Sequence, residues 1–396
     1  MKAVLMAAGK STRTYPLTLS RPKVLLRVLG KTILQHNLEA LYGLVDEVIL
    51  IVGYRKEMIE KEFGDDFKGM KLTYFEQKEQ LGTGHATMQA RYLVKDRFIV
   101  MNGDDIFHRD NIRACLRYPL SCLVQRVRDP SRFGVWVTDG ESRVRGFAEK
   151  PKEFVSDLVN CGLYVLDERI FRELEQIPKS ERGEYELNEA VNNLAKECDI
   201  YCVTAPDYWL SIGYPWDLIK ASEHLLNRIK ESHIFGEIEP GVTIKGNVYI
   251  GPGTVVKSGT YIEGPVHIGS NCIIGPHCYI RPRTVIEDNC LIRAEIDNSI
   301  IMSGTKAQHH AYIGQSVIGE NVNIAGGVLT CNRRHDKKDH TTLVNGKKVE
   351  TGMPYLGAFI GDGVRTGAGT IFYPGRKVWP GKYTSPGQII KEDLKD

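Results

Sequence analysis

No Cys-x-x-Cys pair occurs in this 396-residue chain, although it holds nine cysteines. Structural zinc sites are usually built on such pairs, and disulfide frameworks on a dense, even set in a short chain. Neither is expected here. No apolar run approaches the ~20 residues that cross a bilayer as a helix. No basic block stands out, and 52 Lys and Arg against 49 Asp and Glu leave a net charge of only +3. With no zinc-finger spacing and no RNP-like aromatic run either, nucleic acid is not expected as a partner. The N-terminus enters an apolar run directly, without a charged-then-apolar leader. The expectation is a cytoplasmic protein with no membrane partner, long enough for two domains.

What is present begins at the N-terminus. An apolar run, Ala3 to Ala7, reads as a short buried strand. It opens into Ala8-Gly9-Lys10-Ser11-Thr12-Arg13-Thr14-Tyr15-Pro16-Leu17-Thr18, and then Arg21-Pro22-Lys23. Small and hydroxyl residues after a strand expose backbone N–H groups, which stabilise phosphate oxygens without a mobile charge. Arg13 and Lys23 add full charges, one as a fork of donors and one as a point. Gly9-Lys10-Ser11 is not a P-loop, because Val4 stands where that motif needs its first glycine. An ordinary strand and loop with surface basic residues is the bland alternative.

Down to about residue 105, apolar strands alternate with helical spacing. Helices are expected over Thr32–Leu41 and Met58–Phe63, and strands over Val48–Val52, Leu72–Phe75 and Phe98–Met101. That alternation predicts a mostly parallel sheet with helices outside, binding its ligand beyond the carboxyl ends of the strands. The motifs fall at such ends. In Gln77-Lys78-Glu79-Gln80-Leu81-Gly82-Thr83-Gly84-His85-Ala86, the glycines would admit a flat ligand and Gln77 could pair with a base edge. Asp104, after a strand and Gly103, is a candidate ligand for Mg²⁺, which prefers hard oxygen donors; a turn residue or N-cap is the alternative. Gly134, Glu149 and Asn160 each lie beside a β-rich run. Asp217 precedes a helix expected from Leu218 to about Lys230, where it could simply favour the helix dipole.

The N-terminal string resembles the signature of the sugar-1-phosphate nucleotidyltransferases, Ala-Ala-Gly-x-Gly-Thr-Arg-x-x-Pro-Leu-Thr followed by Pro-Lys. Its one departure is Ser11, where the family has its second glycine. The Gln77–Ala86 string resembles the base-binding loop of N-acetylglucosamine-1-phosphate uridyltransferases. The Trp209–Asp217 segment is similar to the thymidylyl-type Trp-x-x-Ile-Gly-x-Pro-x-Asp, so UTP and dTTP both stay open. The resemblance implies an α/β Rossmann-like domain over residues 1–230. It further implies that Arg13 and Lys23 act on the triphosphate, and that Ala8, Gly9, Gln77, Gly82 and Thr83 hold the nucleotide. Gly134, Glu149 and Asn160 would read the sugar, and Asp104 and Asp217 would bind Mg²⁺.

From Ile238 the chain changes rhythm. Ile244, Ile250, Val256, Ile262, Ile268, Ile274, Ile280, Ile286 and Ile292 recur every sixth residue. Gly and Pro crowd the turns, the signature of a parallel β-helix. Cys272, Cys278 and Cys290 fall on the small-residue positions and read as stacked core, not metal ligands. The stretch 218–236 reads as helix and linker. The repeat slips near 293–301 and breaks at Cys331, and Asn332–Gly352 reads as a polar loop leaving the coil. The rhythm returns at Ile360, Thr366 and Phe372.

This half, 236–390, resembles the left-handed hexapeptide β-helix of acyltransferases. Lys306-Ala307-x-His309-x-x-Tyr312-x-Gly314, Asn321-Val322-Asn323-Ile324 and Thr330-Cys331-Asn332 resemble the acetyltransferase half of the bifunctional enzymes that make UDP-N-acetylglucosamine. The implied roles are His309 as general base, Arg281, Tyr312, Asn332 and Lys338 on the amino-sugar phosphate, and Asn323 near the acetyl group of acetyl-CoA. The departures are Ala325-Gly326-Gly327 for Gly-Ala-Gly, and Asp297 where a substrate-binding lysine is expected. The whole chain is similar to the archaeal form of the bifunctional enzyme, for which a homotrimer is expected. Two alternatives are a nucleotidyltransferase with a purely structural coil and a non-catalytic complex subunit of the same architecture.

Overall fold

The structure is a computed structural model that describes residues 1–395. Contacts divide the chain into two compact units. One comprises Met1–Lys10, Pro22–Leu25 and Thr32–Ser211; the other comprises Ser11–Arg21, Leu26–Lys31 and everything from Ile212 onward. Among the described residues no helix is long and apolar enough to cross a membrane.

The first unit is built on a ten-stranded sheet. Its central strand is Lys2–Ala7, whose apolar run is buried on both faces. It pairs in parallel with Glu47–Val52 on one side and Arg97–Asn102 on the other. Strand order therefore reverses at this strand, the place where folds of this kind bind their ligands, beyond the carboxyl ends. Met70–Glu76 extends the parallel part. Beyond Arg97–Asn102 the sheet is mixed: Leu158–Asp167 runs antiparallel against it, Gly134–Thr138 and Val144–Glu149 form an antiparallel pair, and Tyr201–Thr204 pairs in parallel with Ser121–Arg126. The local alternation of strands and helices up to residue 105 could not show this, because these antiparallel strands come later in the chain. Helix Ile33–Leu41 starts where Thr32 accepts a hydrogen bond from Gln35 N–H at 3.1 Å. It buries Ile33, Leu34, Leu38 and Leu41.

In the second unit, short parallel strands stack in ladders. Ile234, Ile250, Ile268, Ile286, Ile301, Ile318, Ile360 and Val378 are successive rungs of one ladder. Ile238, Val256, Ile274 and Ile292 are rungs of another. From Ile250 to Ile286 each rung is eighteen residues from the next. Burying one such side chain contributes about 1.5–3 kcal/mol, and the stacked aliphatics from Ile250 onward form the core, whereas Ile234 at the first rung is exposed. The architecture is that of a parallel β-helix. Its first rung, His233–Ile234, lies inside the stretch that reads as a linker from sequence. The slip near residue 293 is a register shift between Ile292 and Ala294 in the strand Leu291–Asp297. The helix Pro215–Leu226 ends four residues before its expected limit, and its buried Trp216 lies 6.2 Å from Phe359.

At one corner the small residues replace missing backbone bonds. Thr254 Oγ1 donates to the carbonyl of Gly269 at 2.6 Å and accepts from Cys272 N–H at 3.0 Å. Cys272 does the same one turn on, its thiol donating to Glu287 O at 3.0 Å and its sulfur accepting from Cys290 N–H at 3.4 Å. The cysteines are core residues with a second task. The excursion 332–352 is not irregular throughout. It carries an antiparallel hairpin, Thr341–Val344 and Lys347–Glu350, closed by Asn345-Gly346 with both φ angles positive.

Glu287 lies fully inside this unit. Its Oε2 accepts from Ser303 N–H and Oγ–H, both at 3.1 Å, while Oε1 has no hydrogen-bond partner among the described residues. Burial pushes its carboxyl from 4.5 up to about 7, against the lowering effect of Arg27. Ionising the group therefore costs folded stability. The cost is absent below 4.5, grows up to about 7 and is constant above that; such a shift corresponds to about 3 kcal/mol. Glu287→Gln should raise the melting temperature at pH 8 and leave it nearly unchanged at pH 4, as read by calorimetry across that range.

Candidate active sites

Backbone crowding at the end of the central strand shapes the first site. Gly103 N–H donates to Met6 O at 3.0 Å, and Tyr54 N–H donates to Ala8 O at 3.2 Å. A Cβ at Gly53 would meet Ala8 O at 2.9 Å, and one at Gly103 would meet Met6 O at 2.9 Å. Both neighbours must be glycine for the three strand ends to converge. Gln80 Nε2 also donates to Ala8 O at 2.7 Å. Lys23, 5% exposed, reaches into this region and pairs with Asp104 at 2.9 Å. Asn37, invisible as a site residue in the sequence, steers the loop: its Nδ2 donates to Asp105 O at 2.7 Å and its Oδ1 accepts from Phe107 N–H at 3.3 Å. Trp209 Nε1 donates to Asp105 Oδ2 at 3.2 Å.

The expected base-binding loop is ordered by contacts within its own unit. A Cβ at Gly82 would meet Tyr185 O at 2.7 Å, and one at Gly84 the same oxygen at 2.9 Å. On the side where a Cβ would stand, these glycines make room for the passing 184–185 backbone. Thr83 Oγ1 accepts from Leu187 N–H at 3.1 Å. Gln77 is buried and its Nε2 lies 3.2 Å from Gly82 O and 3.0 Å from His85 Nδ1.

The three expected sugar residues lie near one another. Gly134 pairs with Glu149, and a Cβ on it would meet the Phe147 ring at 2.3 Å and Glu149 Oε2 at 2.8 Å. Asn160 Nδ2 donates to Asn188 Oδ1 at 2.9 Å, and its Oδ1 accepts from Tyr164 OH at 2.9 Å. A cleft of about 680 Å³ is lined by Glu149, Lys150, Arg182, Glu186 and Asn188. Arg182, Glu186 and Asn188 carried no signal in the sequence, since a surface Arg-x-x-x-Glu pair is ordinary helix chemistry.

In the second unit Arg13 follows Ser11, whose backbone is left-handed at φ 50° and ψ 52°. That is why the family pattern has glycine there. The Ser11 carbonyl accepts from the hydroxyls of Thr14 and Thr18 at 2.7 and 2.9 Å, folding the loop on itself. Arg13 lies 5.6 Å over the Tyr214 ring. Asp217 Oδ2 accepts from Gly213 N–H at 3.1 Å and Tyr214 N–H at 2.9 Å. Asp217 stands in the first turn of the helix Pro215–Leu226, and this oxygen caps the N-terminus of that helix.

Further along the coil, Arg281, Tyr312 and Asn332 fall in one polar network. Arg281 pairs with Glu295 at 3.1 Å and Asp297 at 3.7 Å. Asp297 accepts from Gln315 Nε2 at 3.1 Å, Asn332 Nδ2 donates to Gln315 Oε1, and Asn332 Nδ2 also donates to Tyr312 OH at 3.0 Å. Gln315 was not singled out by sequence, and Asp297, the departure, is central. A cleft of about 500 Å³ is lined by Arg281, Arg283, Asp297, Gln315 and Tyr355. The exposed Lys338 and Asn323 make other contacts: Asn323 stacks on Lys306 in a ladder, and Lys338 N–H donates to Asp336 at 3.3 Å. His309 is exposed, with φ 66°, and is followed by His310 at φ 60°. Gly327 N–H donates to His309 O at 3.1 Å, and a Cβ on Gly326 would lie 3.2 Å from the His309 side chain. The Gly-Gly departure at 326–327 therefore lies against the histidine. His340, buried, holds the base of the excursion, with Nε2 3.0 Å from Asn332 O.

A Rossmann-like sheet with a phosphate-cradling signature, joined to a parallel β-coil, defines a sugar-nucleotidyltransferase architecture with an appended coil. The family model "Nucleotidyl transferase" matches residues 2–228, and "GMPPB C-terminal domain" matches 262–382. "Bifunctional protein GlmU" of Methanococcus maripaludis is 41% identical over all of this chain and 96% of its own length. The "Bifunctional sugar-1-phosphate nucleotidylyltransferase/acetyltransferase" of Sulfurisphaera tokodaii is 36% identical over all of this chain and 98% of its own. A solved UDP-glucose pyrophosphorylase, 22% identical, superposes on 57% of this chain and 98% of its own with a TM-score of 0.53, which speaks to the fold of the first half. The chain belongs to the nucleotidyl transferase family, and within it to the bifunctional sugar-1-phosphate nucleotidyltransferase/acetyltransferases.

The left-handed backbone at Ser11 costs about 1 kcal/mol in a residue with a Cβ. Ser11→Gly should keep nucleotidyl transfer within about twofold, whereas β-branched Ser11→Val should lower it by about tenfold or more. Pyrophosphate release in both variants measures this.

Proposed function

We propose that the chain joins a sugar-1-phosphate, N-acetylglucosamine-1-phosphate or glucose-1-phosphate, to UTP or dTTP, and acetylates glucosamine-1-phosphate with acetyl-CoA. Both steps serve the biosynthesis of UDP-N-acetylglucosamine or a related nucleotide sugar. The observation that carries this reading is the match to bifunctional relatives over the entire chain. The domains would be 1–230 and 236–390, the second a left-handed hexapeptide coil, and the enzyme a cytoplasmic homotrimer.

In the first reaction a phosphate oxygen of the sugar-1-phosphate attacks the α-phosphorus of the nucleotide and pyrophosphate leaves. The nucleophile is already an anion, so no general base is required. The protein must offset repulsion and hold the groups in line. Arg13 and Lys23 would neutralise the triphosphate, with Ala8, Gly9, Gln77, Gly82 and Thr83 on the nucleotide and Gly134, Glu149 and Asn160 on the sugar. Asp104 fits Mg²⁺: it is a hard oxygen donor beyond the carboxyl end of Arg97–Asn102, and among the described residues no group of three or more His, Cys, Asp or Glu forms a dedicated metal cage. Mg²⁺ characteristically uses one or two carboxylates and completes its shell with phosphates and water. Asp217 is the second candidate carboxylate. When bound, the metal neutralises phosphate charge.

In the second reaction the amine of glucosamine-1-phosphate attacks the thioester carbonyl of acetyl-CoA, and coenzyme A leaves as the thiol. His309 would take the proton from the ammonium, for which an imidazole is suited near neutral pH. Arg281, Tyr312, Asn332 and Lys338 would hold the amino-sugar phosphate, with Asn323 near the acetyl group. The match of the coil to a family model named for a different C-terminal domain favours a second reading, in which the coil only supports the first activity.

Thiol release from acetyl-CoA with glucosamine-1-phosphate separates the two. Release by the wild type that falls by at least about a hundredfold in His309→Ala is expected; none from the wild type supports the second reading. Asp104→Asn should lower pyrophosphate release by about a hundredfold and leave thiol release unchanged. Light scattering should give three times the chain mass.

A further inference from the structure

The segment Ser11–Arg21 groups with the coil and is tied to it at both ends. At its start, Asn345 Nδ2 on the hairpin tip donates to Thr12 Oγ1 at 2.9 Å. That hairpin is itself fastened to the coil, because Thr342 Oγ1 donates to Gly375 O at 2.7 Å and the buried Lys377 donates to Leu343 O. At the other end, Arg21 is 9% exposed and forms ion pairs with Glu320 and with Asp362, the latter at 2.6 Å. The Ser20 hydroxyl donates to the same Asp362 oxygen. The second oxygen of Asp362 accepts from Glu320 N–H at 2.7 Å, so the two acids sit on locked, consecutive turns. These two acids hold the Arg21 guanidinium well above its ordinary range, although burial alone would lower it. Between the two anchors lies Arg13.

A buried guanidinium that loses one of its acids keeps its desolvation cost without the compensation. The segment would then move to rehydrate the charge, and a group misplaced by 1 Å can lose about a hundredfold in rate. We infer that Glu320 and Asp362, acids of the coil, are positioning residues for nucleotidyl transfer: through Arg21 they hold the loop that aims Arg13, and Asn345 steadies its start. The inference rests on the reading of Arg13 as a group that touches the triphosphate. It makes the coil a working part of the first reaction rather than only the seat of the second.

The test compares full-length Arg21→Gln, Arg21→Lys, the double variant Glu320→Gln/Asp362→Asn and Arg13→Ala. Pyrophosphate release from UTP and dTTP with N-acetylglucosamine-1-phosphate, and thiol release from acetyl-CoA with glucosamine-1-phosphate, are measured side by side. Arg21→Gln and the double variant should lower kcat for nucleotidyl transfer by about tenfold or more. KM for the sugar phosphate and thiol release should stay within about twofold, and Arg21→Lys should recover part of the loss. Combining Arg21→Gln with the double variant should cost no more than Arg21→Gln alone. Unchanged kcat in these variants, with transfer abolished in Arg13→Ala, would overturn the inference. An intact rate in Arg13→Ala would instead remove the reading beneath it. Equal loss of both activities would mark a merely structural role and also overturn it. Should the buried variants not fold, Asn345→Ala at the exposed hairpin tip replaces them, with about a threefold loss of kcat in nucleotidyl transfer expected and an unchanged value overturning the inference.

Discussion

The carbonyls of Met6 and Ala8 come so close to the flanking strands that neither neighbour can carry a side chain where it leaves the sheet. Much of the first unit depends on that crowding. It brings three strand ends together at the point where strand order reverses, and it forces glycine at 53 and 103. It also delivers Asp104 to the buried Lys23 at 2.9 Å. A side chain at either glycine would separate the strand ends and with them the charges that phosphate chemistry needs. Asn37 and Trp209 then fix the loop from below, so that the carboxylate is held by the scaffold rather than by its own turn.

The coil works under a different constraint. Each turn repeats the last, so any polar group placed at a corner is placed beside its equivalent on the next turn. At the corner through Thr254, Cys272 and Cys290 this stacking becomes a chain of side-chain-to-backbone bonds. Where the repeated group is an acid, the same geometry gathers negative charge. Glu320 and Asp362 compensate theirs with Arg21, whereas Glu287 takes a raised carboxyl range. A solenoid therefore concentrates charge that a globular core would disperse, and that charge becomes a docking point for basic segments from elsewhere in the chain.

The polar network around Arg281 shows how a departure from a family pattern can be absorbed. Asp297, where a lysine was expected, pairs with Arg281 and accepts from Gln315, which in turn binds Asn332. The network closes around the acid instead of leaving it unpartnered, so the cleft stays polar and connected. A carboxylate there also suits a substrate that carries an ammonium.

The sequence by itself determined the two-part order of the chain, the apolar strands of the first half and the six-residue aliphatic rhythm of the second. It also carried the motifs whose resemblance implies phosphate, base and sugar segments. These are local properties: periodicity, turn chemistry and residue type act over a few positions. Only the tertiary structure decided that the sheet becomes mixed after Arg97–Asn102, and that Gly82 and Gly84 lie against the Tyr185 backbone. It alone assigned Asn37, Arg182, Asn188 and Gln315 to their neighbourhoods, and it alone tied Arg21 to acids about three hundred residues away. The physical reason is the same in each case. Such contacts are made between residues distant in the chain, and nothing in the local pattern of either partner announces the other.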